Sequence, residues 1–219
     1  MSLIYAIGDV HGCVTKLRRL VEHCERDAAD RPATFVFLGD YIDRGPDSRG
    51  VIEYLIALQA RLGDRVIPLM GNHEAIALAA SEDTLSAFNW LSEGGDETLR
   101  SYGAATARAL PAKHLAWLRS LRLTHDDGRR LFVHAGVDPE KPLDDQHDDD
   151  LLWIREPFLS DARNYGRLIV HGHTPTGGGP DLRINRLNID TGAVYGGALT
   201  AAVFDEDVTN PIAFLQAQA

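Results

Sequence analysis

Phe35-Val36-Phe37-Leu38-Gly39-Asp40-Tyr41-Ile42-Asp43-Arg44-Gly45 is a short apolar run closed by a glycine and then by a carboxylate. The run has the composition of a buried strand, and its Gly-Asp ending sets an acid at the strand's end. The same grammar recurs along the chain. Leu3 to Ile7 runs into Gly8-Asp9-Val10-His11-Gly12, and Val66 to Met70 into Gly71-Asn72-His73-Glu74. Arg130 to Val133 runs into His134-Ala135-Gly136, and Leu168 to His171 into Gly172-His173-Thr174. Between the first runs lie helical patterns: Val14, Leu17, Leu20, Val21 and Cys24, then Val51, Ile52, Leu55, Ile56 and Leu62. Strand, loop and helix in alternation predict an α/β core. In such cores ligands collect beyond the carboxyl ends of the strands, where these motifs sit.

From about Ala75 to Leu121 the pattern turns helical and loop-like, which predicts a helical insertion or cap over the site within one domain spanning residues 1–219. After it β character dominates. Leu121–Thr124 and Arg130–Val133 flank Asp126-Asp127-Gly128 and predict a hairpin, with further strands at Leu187–Asp190, Leu199–Phe204 and Ile212–Leu215. The acidic stretch around Asp144 to Asp150 reads as a solvated loop entering a helix.

Composition narrows the class. The 219 residues suffice for one well-cored domain, and 44% hydrophobic with 25% charged residues is ordinary for a globular protein. A formal charge of −10 argues against a non-specific grip on nucleic acid. No apolar run reaches the roughly 18 residues of a membrane span, and the start Met1-Ser2-Leu3-Ile4-Tyr5 has no basic leader, which predicts a cytoplasmic protein. Cys13 and Cys24 on one helix would lie about 16 Å apart at 1.5 Å per residue, too far for a disulfide.

The motif residues are metal ligands by type. Asp9 and His11, two apart in extended chain, would share one side; the competing reading is a helix-capping acid beside an incidental loop histidine. Asp40 adds a carboxylate that can bridge two cations, Asn72 an amide oxygen, and His134 and His173 imidazoles. Nitrogen and oxygen ligands without thiolate suit two transition-metal ions, Mn first, with Fe or Zn as alternatives. Two such ions can share a hydroxide and neutralise a phosphoryl group under attack. His73, adjacent to Asn72 in extended chain, would face away from that metal and toward a leaving group, with Asp43 holding its imidazole as an acid. The competing reading makes His73 a cap for a helix over Glu74–Ala80. Arg44 and Arg155 are phosphate clamps by chemistry, although Arg155 reads equally as a surface residue paired with Glu156. His23, His114, His125 and His147 read as ordinary surface or partly buried histidines, and His171 as structural ahead of any metal role.

Taken together, the segments GDxHG, GDxxDRG, GNHE, His-x-Gly and GHTP, in order from Asp9 to Pro175, resemble the calcineurin-like metallophosphoesterases. Within them they are similar to the phosphoprotein phosphatases of the small bacterial and bacteriophage type. Trp90–Gly95, Leu152–Glu156 and Ile189–Gly197 support the resemblance, which covers nearly the whole chain. It implies a sandwich of two mixed β-sheets flanked by helices. It also implies one metal on Asp9, His11 and Asp40, a second on Asp40, Asn72, His134 and His173, His73 with Asp43 as the acid pair, and Arg44 and Arg155 on phosphate. Many superfamily members carry a histidine where this chain has Pro175, which favours the protein-phosphatase branch over nuclease-like phosphodiesterases.

The expected function is therefore metal-dependent removal of phosphate from phosphoproteins, at Ser or Thr and also Tyr, through attack by hydroxide held at a dinuclear site. Its partners are phosphoproteins or small phosphoesters, with no nucleic acid and no membrane. A dinucleoside tetraphosphate hydrolase shares every motif and is the enzymatic alternative. A non-catalytic phosphoesterase-fold scaffold is the alternative of another class, although no ligand position is missing here.

Overall fold

The computed structural model describes residues 2–218, so Met1 and Ala219 lie outside it. Two five-stranded mixed sheets stack face to face. The first contains β1 (Leu3–Ile7), β2 (Ala33–Phe37), β3 (Val66–Pro68), β9 (Leu199–Asp205) and β10 (Ala213–Ala217), in the order β10-β9-β1-β2-β3. The second contains β4 (Thr124–Asp126), β5 (Arg130–Val133), β6 (Leu168–His171), β7 (Asp181–Leu182) and β8 (Arg186–Asn188), in the order β4-β5-β6-β8-β7. Each sheet holds a parallel triplet: β1, β2 and β3 in one, β5, β6 and β8 in the other. The remaining strands pair antiparallel to these.

Side-chain alternation explains the stacking. Ile4 and Ala6 of β1, Val36 of β2, Phe132 of β5, Leu168 and Val170 of β6, and Leu187 of β8 meet in the layer between the sheets. The intervening residues Leu3, Tyr5, Ile7, Phe35 and Phe37 face outward onto the helices α1 (Val14–Ala28) and α2 (Ser48–Leu62). Leu131, Val133 and Ile169 face the other way, onto Leu151 of α7 (Asp148–Trp153) and Phe158. Strands buried on both faces read as unbroken apolar runs, which is how these appear in the sequence.

The stretch predicted as helical is so: α3 (Asn72–Glu82), α4 (Thr84–Trp90), a π-type turn at Leu91–Gly95, α5 (Asp96–Tyr102) and α6 (Ala112–Arg119). It begins three residues before Ala75, inside the Gly-Asn-His-Glu motif. The hairpin forms, but its first arm is Thr124–Asp126, paired Thr124 to Val133, and not Leu121–Thr124. Leu121 is drawn into the helix-side core, while Arg122 forms a single bridge with Leu69 and accepts the Met70 N–H. The acidic stretch is an exposed loop whose last acids, Asp148, Asp149 and Asp150, open α7, as the positive end of a helix favours.

A candidate dinuclear metal centre

The six parallel strands point their carboxyl ends at one place. Asp9 and His11 follow β1, Asp40 follows β2, and Asn72 follows β3; His134, His173 and Asp190 follow β5, β6 and β8. All seven are at least nine-tenths buried. Two groups of ligand atoms lie within 4.8 Å of one another: His11, Asp40 and His73, and Asp40, His134 and His173. Asp40 belongs to both. Asn72 joins the second, its Oδ1 lying 2.8 Å from His134 Nε2 and 3.0 Å from His173 Nδ1. Asp9 joins neither group; its carboxylate accepts the His173 backbone N–H at 3.0 and 3.2 Å.

Backbone carbonyls fix the tautomers. His134 Nδ1 donates to Leu38 O at 2.8 Å and His11 Nδ1 donates to Ile42 O at 2.8 Å, so each ring turns a bare Nε2 toward the cluster. His134 Nε2 then faces the Asn72 amide oxygen and, at 3.4 Å, Asp40 Oδ1. Three acceptors converge with no proton among them, and a cation converts that repulsion into coordination. The acids agree. Burial, then the charges of Asp190 and Asp40, raise the Asp9 pKa; burial and Asp40 push Glu74 up to about 8, and burial pushes Asp190 up to about 6. For Asp40 burial alone would raise the pKa, but His134, His73 and His11 hold it well below the carboxylate range. For His11 burial is likewise overcome, here by Asp40, and the pKa rises. Burial lowers His134, and burial, with His134 beside it, takes His173 down to about 3, so both stay neutral, as ligands must. The donor set fits two hard or borderline divalent ions.

His73 and Asp43 form a buried pair, with Nδ1 donating to Oδ2 at 2.8 Å and Nε2 standing 4.0 Å from Asp40 Oδ2. Asp43 is itself held from the helical stretch. Trp90 Nε1 donates to both its oxygens at 3.0 and 2.9 Å, and the Thr98 hydroxyl donates to Oδ1 at 2.6 Å. The stretch therefore walls the site beside Asp43 and Arg44. Arg44 reaches the cluster with Nη1, which donates to His11 Nε2 at 3.2 Å. Arg155 is exposed, and Glu156 does not pair with it; that carboxylate takes the Ser160 hydroxyl instead. Arg155 stands near enough to lower the pKa of His173, and Trp153, two residues before it, meets the His173 ring edge-on at 6.2 Å.

Two local geometries differ from expectation. His11 has φ +42, so Asp9 and His11 are not successive positions of an extended strand, and the one-side argument fails for them. Asn72 and His73 occupy the first turn of α3 and are not extended either; the roughly 100° between successive helical residues, not strand alternation, separates their directions. His73 consequently lies within a helix over Asn72–Glu82 instead of preceding one. His171, buried and set edge-on to Phe158, belongs to neither ligand group, and burial with the Arg186 charge takes it down to about 3.

Two carboxylates went unassigned in the sequence. Glu74 accepts backbone N–H groups from Asp40 (2.8 Å), Tyr41 (2.8 Å), Ile42 (3.3 Å) and Gly71 (2.9 Å), binding the β2 and β3 loops together. Asp190 closes the expected strand Leu187-Asn188-Ile189 with an acid, as Asp9 and Asp40 close theirs after a glycine, and that acid at a strand end was the available signal.

Known proteins place this architecture. A chain described as a putative diadenosine tetraphosphatase superposes with a TM-score of 0.72, covering 99% of this chain and 93% of its own at 24% identity. Serine/threonine-protein phosphatase 1 of Salmonella typhimurium is 34% identical over 211 residues, 91% of this chain and 90% of its own length. The symmetrical bis(5'-nucleosyl)-tetraphosphatase of Pseudomonas fluorescens is 36% identical over 141 residues, and this chain spans only 44% of it. The calcineurin-like phosphoesterase sequence profile matches residues 2–197. With two mixed sheets, helices on their outer faces and histidines and acids gathered at the strand ends, the chain belongs to the calcineurin-like phosphoesterases and is a metallophosphoesterase-type hydrolase.

Proposed function

We propose that the protein removes phosphate from phosphoserine and phosphothreonine, and also phosphotyrosine, in proteins. The observation that carries this reading is the His73–Asp43 pair set against Asp40, the carboxylate common to both ligand groups. A phosphomonoester needs a proton for its departing alkoxide, and His73 Nε2 faces the cluster while Nδ1 is tied to Asp43. In this reading Asp9, His11 and Asp40 would hold one ion, and Asp40, Asn72, His134 and His173 the other, with Mn the first choice. When bound, the ions supply charge neutralisation of the phosphoryl oxygens and activation of water. Arg44 and Arg155 bind the phosphate, and His73 protonates the leaving oxygen. The match in length to the Salmonella phosphatase supports a protein substrate. Two free cysteines, Cys13 and Cys24, accord with a reducing cytoplasm, and no helix among the described residues is long and apolar enough to cross a membrane. Residues 1–219 form one domain in this reading, with 75–121 inserted into it.

Hydrolysis of dinucleoside tetraphosphates is the second reading, favoured by several tetraphosphatase relatives at 34–36% identity. Metal-stripped protein reloaded with Mn²⁺ separates the two. Phosphopeptides and diadenosine tetraphosphate are compared by kcat/KM; a higher value for the dinucleotide overturns the protein-phosphatase reading. Absence of both metal binding and cleavage would leave only a scaffold.

A further inference from the structure

The helical stretch meets Arg44 through a single turn. Residues Leu91–Gly95 form a π-type turn in which Gly94 has φ +98, a conformation that glycine adopts without strain. A Cβ on Gly94 would come within 2.9 Å of Arg44 Cγ and 3.0 Å of Arg44 N, so the turn lies flush against that residue. Arg44 donates its backbone N–H to Gly94 O at 3.1 Å and its Nη2 to Glu93 Oε2 at 3.1 Å. Its other terminal nitrogen, Nη1, points inward to His11. The guanidinium thus bridges rim and cluster, one end on a half-exposed carboxylate and the other in the site.

We propose that Glu93 is a positioning residue for the substrate phosphate, acting through Arg44; the proposal rests on the reading of Arg44 as a phosphate clamp. A guanidinium is a planar fork, so fixing Nη2 from outside orients Nη1 and Nε with it. Arg44 also has φ +66, and Asp43 before it φ +70, so the backbone at its base is set in an uncommon conformation. Glu93 holds the far end of a side chain whose near end the Gly94 carbonyl holds. Together they keep the clamp extended across the mouth before a substrate arrives, reducing the ordering that binding would otherwise require. Glu93 itself touches neither the ligand groups nor the reacting atoms. Its effect belongs to substrate affinity.

The test is steady-state hydrolysis of p-nitrophenyl phosphate by the Mn²⁺-loaded enzyme, with inhibition by inorganic phosphate measured alongside. Glu93→Ala raises KM and the phosphate inhibition constant together, by about two- to fivefold as befits a partly exposed ion pair, while kcat moves less. Glu93→Gln, which keeps an acceptor without the charge, falls between. In an Arg44→Ala background Glu93→Ala has no further effect on kcat/KM, which a merely structural role would not produce. A fall in KM would make Glu93 a competitor of phosphate, and an unchanged KM a surface pair; either overturns the proposal while leaving the phosphatase reading intact. A wild-type protein that neither cleaves nor binds phosphate overturns both.

Discussion

The two sheets deliver their candidate ligands to the same place by different means. Behind the first sheet, His11, Asp40, Asp43 and Arg44 all have positive φ, and the loops that carry them are cross-braced by Glu74, Ser48, Trp90, Thr98 and Gly94. Behind the second sheet, His134 comes straight off β5, and among the described non-glycine residues of its loops only His173 has positive φ, at +64. Its loops are held by backbone bonds, Gly172 N–H to His134 O and Ala135 N–H to Leu151 O, and by fewer side chains, with Asp9 accepting the His173 N–H and Asn188 donating to Thr174 O. A left-handed non-glycine residue costs roughly 1–2 kcal/mol, so the first set of loops persists only where its surroundings over-determine it. The lesson is a division of labour. The first sheet carries the strained parts, the carboxylate common to both groups and the His73–Asp43 pair, and needs scaffolding from the helical stretch. The second sheet adds neutral imidazoles that need little.

The sharpest way to break this contrast is Asp40→Asn. Since Asp40 stands in both ligand groups, both ions are lost and hydrolysis falls to background; metal analysis that finds one ion retained would contradict the bridge. His173→Ala, on the second sheet, should by contrast release one ion and keep the other. If it releases both, the two sheets do not contribute separably.

Next in size is His73→Asn. If His73 is the proposed general acid, its loss lowers kcat by about 10²–10⁴-fold, with metal content unchanged. His73 also belongs to the group with His11 and Asp40, so the outcome is informative in both directions. Loss of an ion along with activity would make His73 a ligand and move the acid elsewhere.

Glu74→Gln tests the scaffolding itself. The carboxamide turns an NH₂ toward backbone N–H donors, leaving donors of the Asp40 or Gly71 and Tyr41 or Ile42 pairs unmatched. Destabilisation of about 1–3 kcal/mol is expected in urea unfolding at unchanged m-value. Unchanged stability would mean that the strained loops stand without their brace.

What the sequence revealed follows the same division. The strands, the α/β rhythm and the polar residues gathered at the strand ends were legible because each apolar run is closed by a polar side chain, most of them after a glycine, a local pattern. Glu74 stood in plain view within its motif, yet its four donors come from two loops, one of them more than thirty residues away, and no spacing reveals that. The bonds of Trp90 and Thr98 to Asp43 were invisible for the same reason: Asp43 is forty-seven and fifty-five residues distant. The extended-chain argument failed at His11 and at Asn72–His73 because strand periodicity stops at the strand's end, and a left-handed residue or a helix start resets side-chain directions. Leu121 missed its strand because burial against the helix-side core outweighed β character.

The smallest effect separates the two arginines. Arg44 is anchored at both ends, by Gly94 and by Glu93, whereas Arg155 follows α7 on the second sheet's side and is exposed. A free arginine loses more rotamer entropy when it closes on phosphate, so the same guanidinium–phosphate contact yields less net binding. Arg155→Ala should therefore raise KM for a small phosphoester by about three- to tenfold, and Arg44→Ala by more. Parallel KM and kcat values for the two variants decide it. An Arg155 effect equal to or larger than that of Arg44 would show that anchoring before binding does not set the strength of the clamp, and the contrast between braced and unbraced loops would lose its functional meaning.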